Sequence, residues 1–178
     1  ACPEITSLMW YALRSVGLPV NYDYIIQWAN RSQSHSWNSL WVDSVLYSFG
    51  MSDPEFGKHF ESRPQERVGK VYRKMFSFQP QSLPNQRGAL AEGIPPAFRS
   101  PFIKDVSESY FDGIDLVLKL TIPIAAPKKF AYLVVFDNRN WVPVAWSRIK
   151  RGRVAFDHVE KGCAYMVMYY DRGLLLPA

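Results

Sequence analysis

A chain of 178 residues is long enough for one large domain or two small ones, and 48% hydrophobic with 21% charged residues describes an ordinary folded protein. No apolar run approaches the length of a membrane span, and no charged-then-apolar leader of a signal peptide is visible. The net charge of +5 is spread along the chain, and its densest run, RPQERVGKVYRK, is broken by Glu66 and by apolar residues, so it reads as a solvated face and not as a nucleic-acid surface.

The first element is a helix. Pro3 suits the first helical position, Glu4 complements the positive end of the helix dipole, and Gly17 followed by Pro19 forms a stop. Ile5, Leu8, Met9, Ala12, Leu13 and Val16 recur at helical spacing and predict one apolar face. VNYDYIIQWAN, HSWNSLWV and VLYSFGM then read as three strands, with RSQS as a polar turn and a tight turn at Asp43–Ser44. PQERVGKVYRKMFSFQ reads as either a short helix or an extended arm. QPQSLPNQRGALAEGIPPAFRSP, rich in Pro, Gly and polar residues, reads as a linker or long surface loop. Evenly spaced strand signals follow: DLVLKLTIPI, KFAYLVVFDN, WVPVAWSRIK, GRVAFDHV and GCAYMVMYYD, the pattern of a small β-sandwich.

The residues with chemical potential lie early in the chain. Cys2 stands at a helix N-terminus, where unsatisfied backbone N–H groups and the helix dipole favour the thiolate. A nucleophile needs a base and the base an orienting group. His35 opens the second strand and Asp53 follows the third, so a hairpin brings the two ends together. His59 and His158 read as surface residues, and Cys163, inside an apolar run, as a buried and inert thiol. No metal-ligand spacing and no phosphate-binding loop is present, so no metal or cofactor is expected.

The order Cys2, then LRSVGLPV at 13–20, then HSWN at 35–38, then Asp53–Pro54 resembles the transglutaminase-like superfamily of papain-type thiol enzymes. More narrowly, YDYIIQWANRSQSHSWN, GKVYRKMFS and YLVVFDNRNWVPVAW are similar to transglutaminase-like proteins of gut-type Bacteroidetes, which join a thiol-enzyme core to a C-terminal β-sandwich. The resemblance covers nearly all of the chain. It implies an α+β fold: a partial transglutaminase-like core of one helix plus antiparallel strands at 1–57, a connecting arm and linker at 58–100, and a small antiparallel β-sandwich at 101–178.

The same resemblance implies Cys2 as nucleophile, His35 as base and Asp53 as orienter, with Asp43 in the preceding turn as a competitor for the third place. Trp37 would wall the site beside the imidazole, and Trp28 would line a substrate groove or serve in the core. The oxyanion hole would use the Cys2 backbone N–H and a donor from an upstream segment. The family's frequent HxWxE is HSWNS here, with Ser39 in the acidic place. Family members carry a substantial region before the catalytic Cys, where this sequence has only Ala1, so a missing N-terminal region or a homo-oligomer partner is expected, with weak or absent activity for the chain as given.

The function so implied is a thiol hydrolase or acyl transferase acting on amide bonds of peptides or glycopeptides through a Cys-His-Asp triad. An extracytoplasmic location, secreted or lipid-anchored, follows from the resemblance alone. The alternative is a non-catalytic binding or scaffold protein dominated by the β-sandwich, with aromatics among Trp141, Trp146 and Tyr169 as contact residues.

Overall fold

The computed structural model describes residues 2–51, 53, 55–60, 64–122 and 127–178, with the backbone but not the side chain of Cys2. The fold is α+β, mostly antiparallel strand with one long helix. No helix among the described residues is long and apolar enough to cross a membrane.

Helix α1 spans Cys2–Ser15. Gly17 ends it at φ +90°, and the Leu18 N–H reaches back to the Leu13 carbonyl at 3.1 Å while the Gly17 N–H bonds that of Arg14 at 3.0 Å. This left-handed closure is what the sequence predicts at that glycine. The predicted apolar face is only partly the buried one. Thr6 and Trp10 are buried, Met9 and Leu13 half-buried, but Leu8 is 62% and Val16 72% exposed. The face that meets the sheet is set by where the sheet lies, and Thr6 enters it because Ser36 and Asn38 offer partners: Thr6 Oγ1 bonds the Ser36 carbonyl at 3.2 Å, and Asn38 Nδ2 donates to the Thr6 carbonyl at 3.2 Å.

Strands β1 (Asn21–Ile25), β2 (His35–Val42) and β3 (Val45–Phe49) follow the predicted runs, and β4 (Tyr72–Lys74) and β5 (Ile103–Asp105) complete an antiparallel sheet of order β3-β2-β1-β4-β5. Asp43 and Ser44 both take positive φ, 47° and 66°, the backbone of the two-residue turn whose twist suits a hairpin. The sheet therefore draws a strand from each of the three segments read from the sequence: β1–β3 from 1–57, β4 from 58–100 and β5 from 101–178.

The remaining strands are β6 (Ile114–Lys119), β7 (Phe130–Phe136), β8 (Trp141–Arg148), β9 (Arg153–Val159), β10 (Met166–Asp171) and β11 (Leu174–Pro177). They form an antiparallel sheet of order β11-β10-β7-β8 and an antiparallel pair β6-β9. Both faces of β7 are buried. Ala131 and Leu133 pack with Val154, Phe156 and Val159 of β9, whereas Phe130, Tyr132 and Val134 face Leu83, Ala89, Ile94 and Phe98. Residues 83–98 are thus a core-building strap and not the surface loop their Pro/Gly content predicts. Polar punctuation there serves short turns that carry buried apolar side chains between them. Tyr72 of β4 and Ile103 of β5 belong to the same cluster, and the Tyr72 hydroxyl donates to the Val144 carbonyl at 2.7 Å, joining the first sheet to the second.

Candidate active site

Alternation along β2 sorts its side chains onto two faces. Ser36 and Asn38 meet the helix, while His35, Trp37 and Ser39 occupy the opposite face. Thr6 lies at the level of Ser36, and Trp10, one turn on, contacts Tyr22, the register partner of Asn38. This direction sets the first turn of α1 at the end of the sheet that carries His35. The Cys2 thiol, the expected nucleophile, lies outside the described residues, as does Pro54 of the expected Asp-Pro pair.

Asp53 does not bond His35 as the sequence predicts. Its Oδ2 accepts the backbone N–H of Gly50 at 2.6 Å and stands 2.7 Å from Nδ1 of His59. His59 Nε2 in turn lies 2.9 Å from His35 Nε2. The two imidazole planes differ by only 7°, with centroids 5.0 Å apart. That spacing is close to the N–N distance plus one ring radius on each side, so the rings meet edge to edge, as an N–H···N hydrogen bond requires. Asp43 is removed from contention: it occupies the β2–β3 turn, eight residues along the strand from His35, or about 26 Å at strand rise.

His59 is the residue the sequence reading misses. Read as a surface histidine, it is 2% exposed and packed between Trp37 and Phe60, with ring centroids at 5.6 Å and 4.8 Å. The loop after β3 delivers it. Gly57 turns at φ +84° where a Cβ would lie 2.6 Å from the Tyr47 ring, so only glycine lets the chain pass there. The His59 N–H then reaches the Ser48 carbonyl at 3.3 Å. His158, the other histidine read as exposed, is half-buried against Phe111.

The tryptophans hold the imidazole and present little surface of their own. Trp28, 1% exposed, stacks on His35 at 5.4 Å with 24° between planes, and the Arg31 guanidinium lies over its ring at 4.6 Å. Trp37, fully buried, tilts against His35 at 5.8 Å. Of the two places expected for Trp28, groove wall or core, the structure shows it buried in the core.

Beneath Trp37 lies a buried ionic cluster. Asp23 of β1, fully buried, accepts two bonds from the Arg73 guanidinium of β4, both 2.7 Å, one from the Ser39 hydroxyl at 2.6 Å and one from the Tyr110 hydroxyl. The Trp37 indole N–H donates to that same phenol oxygen at 3.0 Å. Burial first, then the Asp23 charge, raises the Tyr110 phenol. Burial works against the Arg73 charge, but the bonds and charge of Asp23 outweigh it and raise the guanidinium. Ser39 thus faces a carboxylate supplied by the neighbouring strand. Arg73, from the run predicted to be a solvated face, is its counter-ion.

Among the described residues no group of three or more His, Cys, Asp or Glu is placed to hold a metal ion. A cavity of about 620 Å³ lies between β5, β8 and β9 and is lined by Lys70, Tyr72, Lys104, Trp146 and Arg148 among others, with neither His35 nor His59 in its lining. No family model, no curated protein and no solved structure matches this chain.

Proposed function

We propose that the protein is a transglutaminase-like thiol hydrolase or acyl transferase acting on amide bonds of peptides or glycopeptides, with Cys2 as nucleophile and His35 as general base. The observation that carries this reading is the hydrogen-bonded series Asp53–His59–His35, set at the end of the sheet where the first turn of α1 also lies. A helix N-terminus favours the Cys2 thiolate. His35 takes the thiol proton, the sulfur attacks the carbonyl carbon, and the acyl-enzyme forms as His35 returns that proton to the leaving amine. Water or a second amine, deprotonated by His35, then releases the acyl group. An extracytoplasmic peptide or glycopeptide is the substrate class that accords with the family resemblance. The oxyanion would be met by the Cys2 backbone N–H and a second donor.

A panel of fluorogenic peptide amides, assayed with the full-length gene product and its Cys2→Ala variant, tests the proposal. The wild type is expected to cleave members of the panel and Cys2→Ala none. Equal rates in the two would overturn it.

A second reading, a non-catalytic binding protein, has one observation in its favour: the 620 Å³ cavity is lined by aromatic, basic and polar side chains and by neither His35 nor His59. Under that reading ligand binding survives Cys2→Ala and His35→Ala and is lost with Trp146→Ala.

A further inference from the structure

We propose that His59 is the positioning residue of this site, fixing His35 in the tautomer whose Nδ1 is the base and carrying the charge that His35 acquires to Asp53. This rests on the reading of His35 as the general base for Cys2.

Counting protons gives the assignment. Two neutral imidazoles hold two N–H protons between them. The Asp53 carboxylate accepts one, from His59 Nδ1 at 2.7 Å. The 2.9 Å bridge between the Nε2 atoms needs the other. With the His59 proton already on Nδ1, the bridging proton belongs to His35 Nε2. The lone pair of His35 is therefore on Nδ1.

When the thiol gives up its proton, the S–H bond breaks, the electron pair stays on sulfur and an Nδ1–H bond forms on His35. The pair now holds three protons and one positive charge. The bridging proton moves between the two Nε2 atoms without breaking another bond. When it sits on His59, the charge stands directly beside Asp53. Return of the bridging proton to His35 Nε2 and departure of the Nδ1 proton to the leaving amine restore the starting state. The two rings thus act together as one base.

The described neighbours of the pair include one carboxylate and several aromatic rings. His59 meets Asp53 and His35 through its nitrogens and Trp37 and Phe60 through its ring. His35 meets Trp28 and Trp37. Arg31 lies over Trp28, and Tyr110 lies behind Trp37, where its hydroxyl is bonded to Asp23. The Lys58–Glu55 ion pair is on the outside of the loop, with both side chains largely exposed. If packing alone were required, any planar ring would fill the place of His59.

The test reads the tautomer directly, by nitrogen-15 NMR of histidine-labelled protein in a Cys2→Ala background, which removes the thiolate. At pH values where the pair is neutral, His35 is expected to carry its proton on Nε2, and a coupling is expected across the Nε2–Nε2 bridge. His59→Phe keeps the ring packing and is expected to lose that fixed tautomer. His59→Gln, whose amide can donate to Asp53 and accept from His35, is expected to keep it. In the Cys2 protein, kcat is expected to fall about 100-fold or more in His59→Phe, with KM little changed, and to recover only in part in His59→Gln, which holds the tautomer but cannot take the bridging proton. A His35 proton on Nδ1 in the parent, or an unchanged tautomer in folded His59→Phe, overturns the proposal. If His59→Phe does not fold, a Nδ1–H tautomer in His59→Gln overturns it. The NMR result stands whether or not Cys2→Ala abolishes hydrolysis, so failure of the hydrolase reading and failure of this one are told apart.

Discussion

The Ser39 hydroxyl lies 2.6 Å from the Asp23 carboxylate, across the β1–β2 ladder, in a place where neither residue touches water. The acidic group of this face stands on β1 and not on β2, and Arg73 balances it from β4. Removing one partner of such a pair leaves a buried charge unmatched, so Asp23→Ala is expected to cost about 3–5 kcal/mol in urea unfolding. Ser39→Ala, which removes one donor of several, is expected to cost about 1.5–3 kcal/mol. Ser39→Glu puts a second carboxylate beside Asp23 and is expected to be worse than Ser39→Ala. Adding Asp23→Ser to Ser39→Glu is expected to restore part of the loss, since one carboxylate then faces Arg73 again.

The strap at residues 83–98 makes a different prediction from a linker. Phe98 is fully buried and contacts both Tyr72 and Tyr132, at 5.9 Å and 6.2 Å between centroids. Phe98→Ala is expected to destabilise the chain by about 3–5 kcal/mol. Trypsin is expected to spare Arg87 and Arg99 under native conditions although both are exposed, because cleavage needs the strap to leave the core. Rapid native cutting at either arginine would show the strap to be detachable.

Buried tyrosines predict an alkaline limit. Burial raises the Tyr72 phenol well above its usual range, with Asp105 and Tyr24 adding to it, and Tyr110 is raised by burial and Asp23. These groups keep their protons in the folded state at pH values where the unfolded chain, with tyrosines near pH 10, loses them. Their contribution to stability is therefore whole below about pH 10 and is lost as pH rises beyond it. Phenolate absorbance and circular dichroism are expected to change together on titration to high pH. Full phenolate formation with the fold intact would refute the assignment.

Cys163 is a free, half-buried thiol just before β10 whose pKa burial raises, with the Tyr165 hydroxyl partly opposing it. Its alkylation by iodoacetamide at neutral pH is expected to be slower than that of a small free thiol. Cys2 is expected to react faster than that reference, so a digest after brief labelling should carry the label on Cys2 first. The opposite order would count against an activated Cys2.

Much of the first sheet was legible in the residues themselves. Helix α1 with its Gly17 closure, the full extent of β2 and the Asp43–Ser44 turn rest on local backbone chemistry, which the sequence writes out residue by residue. Five of the six later strands also declared themselves as alternating or apolar runs. Strands β4 and β5 did not, because three residues each carry too little periodicity to read. The short β11 was missed for a similar reason. The strap was misread because its Pro and Gly content describes its turns and is silent about what the side chains between them cover.

For the site the division is sharper. Sequence by itself determined that His35 opens a strand facing a hairpin's far end, with Trp37 on its face. Spacing along one strand is a covalent fact. Only the tertiary structure decided that His59 stands between His35 and Asp53, and that Ser39 answers to Asp23 and Arg73. Hydrogen bonds between residues on separate elements depend on how a loop closes and which strand lies alongside. No local pattern around Gly57 or Arg73 encodes either.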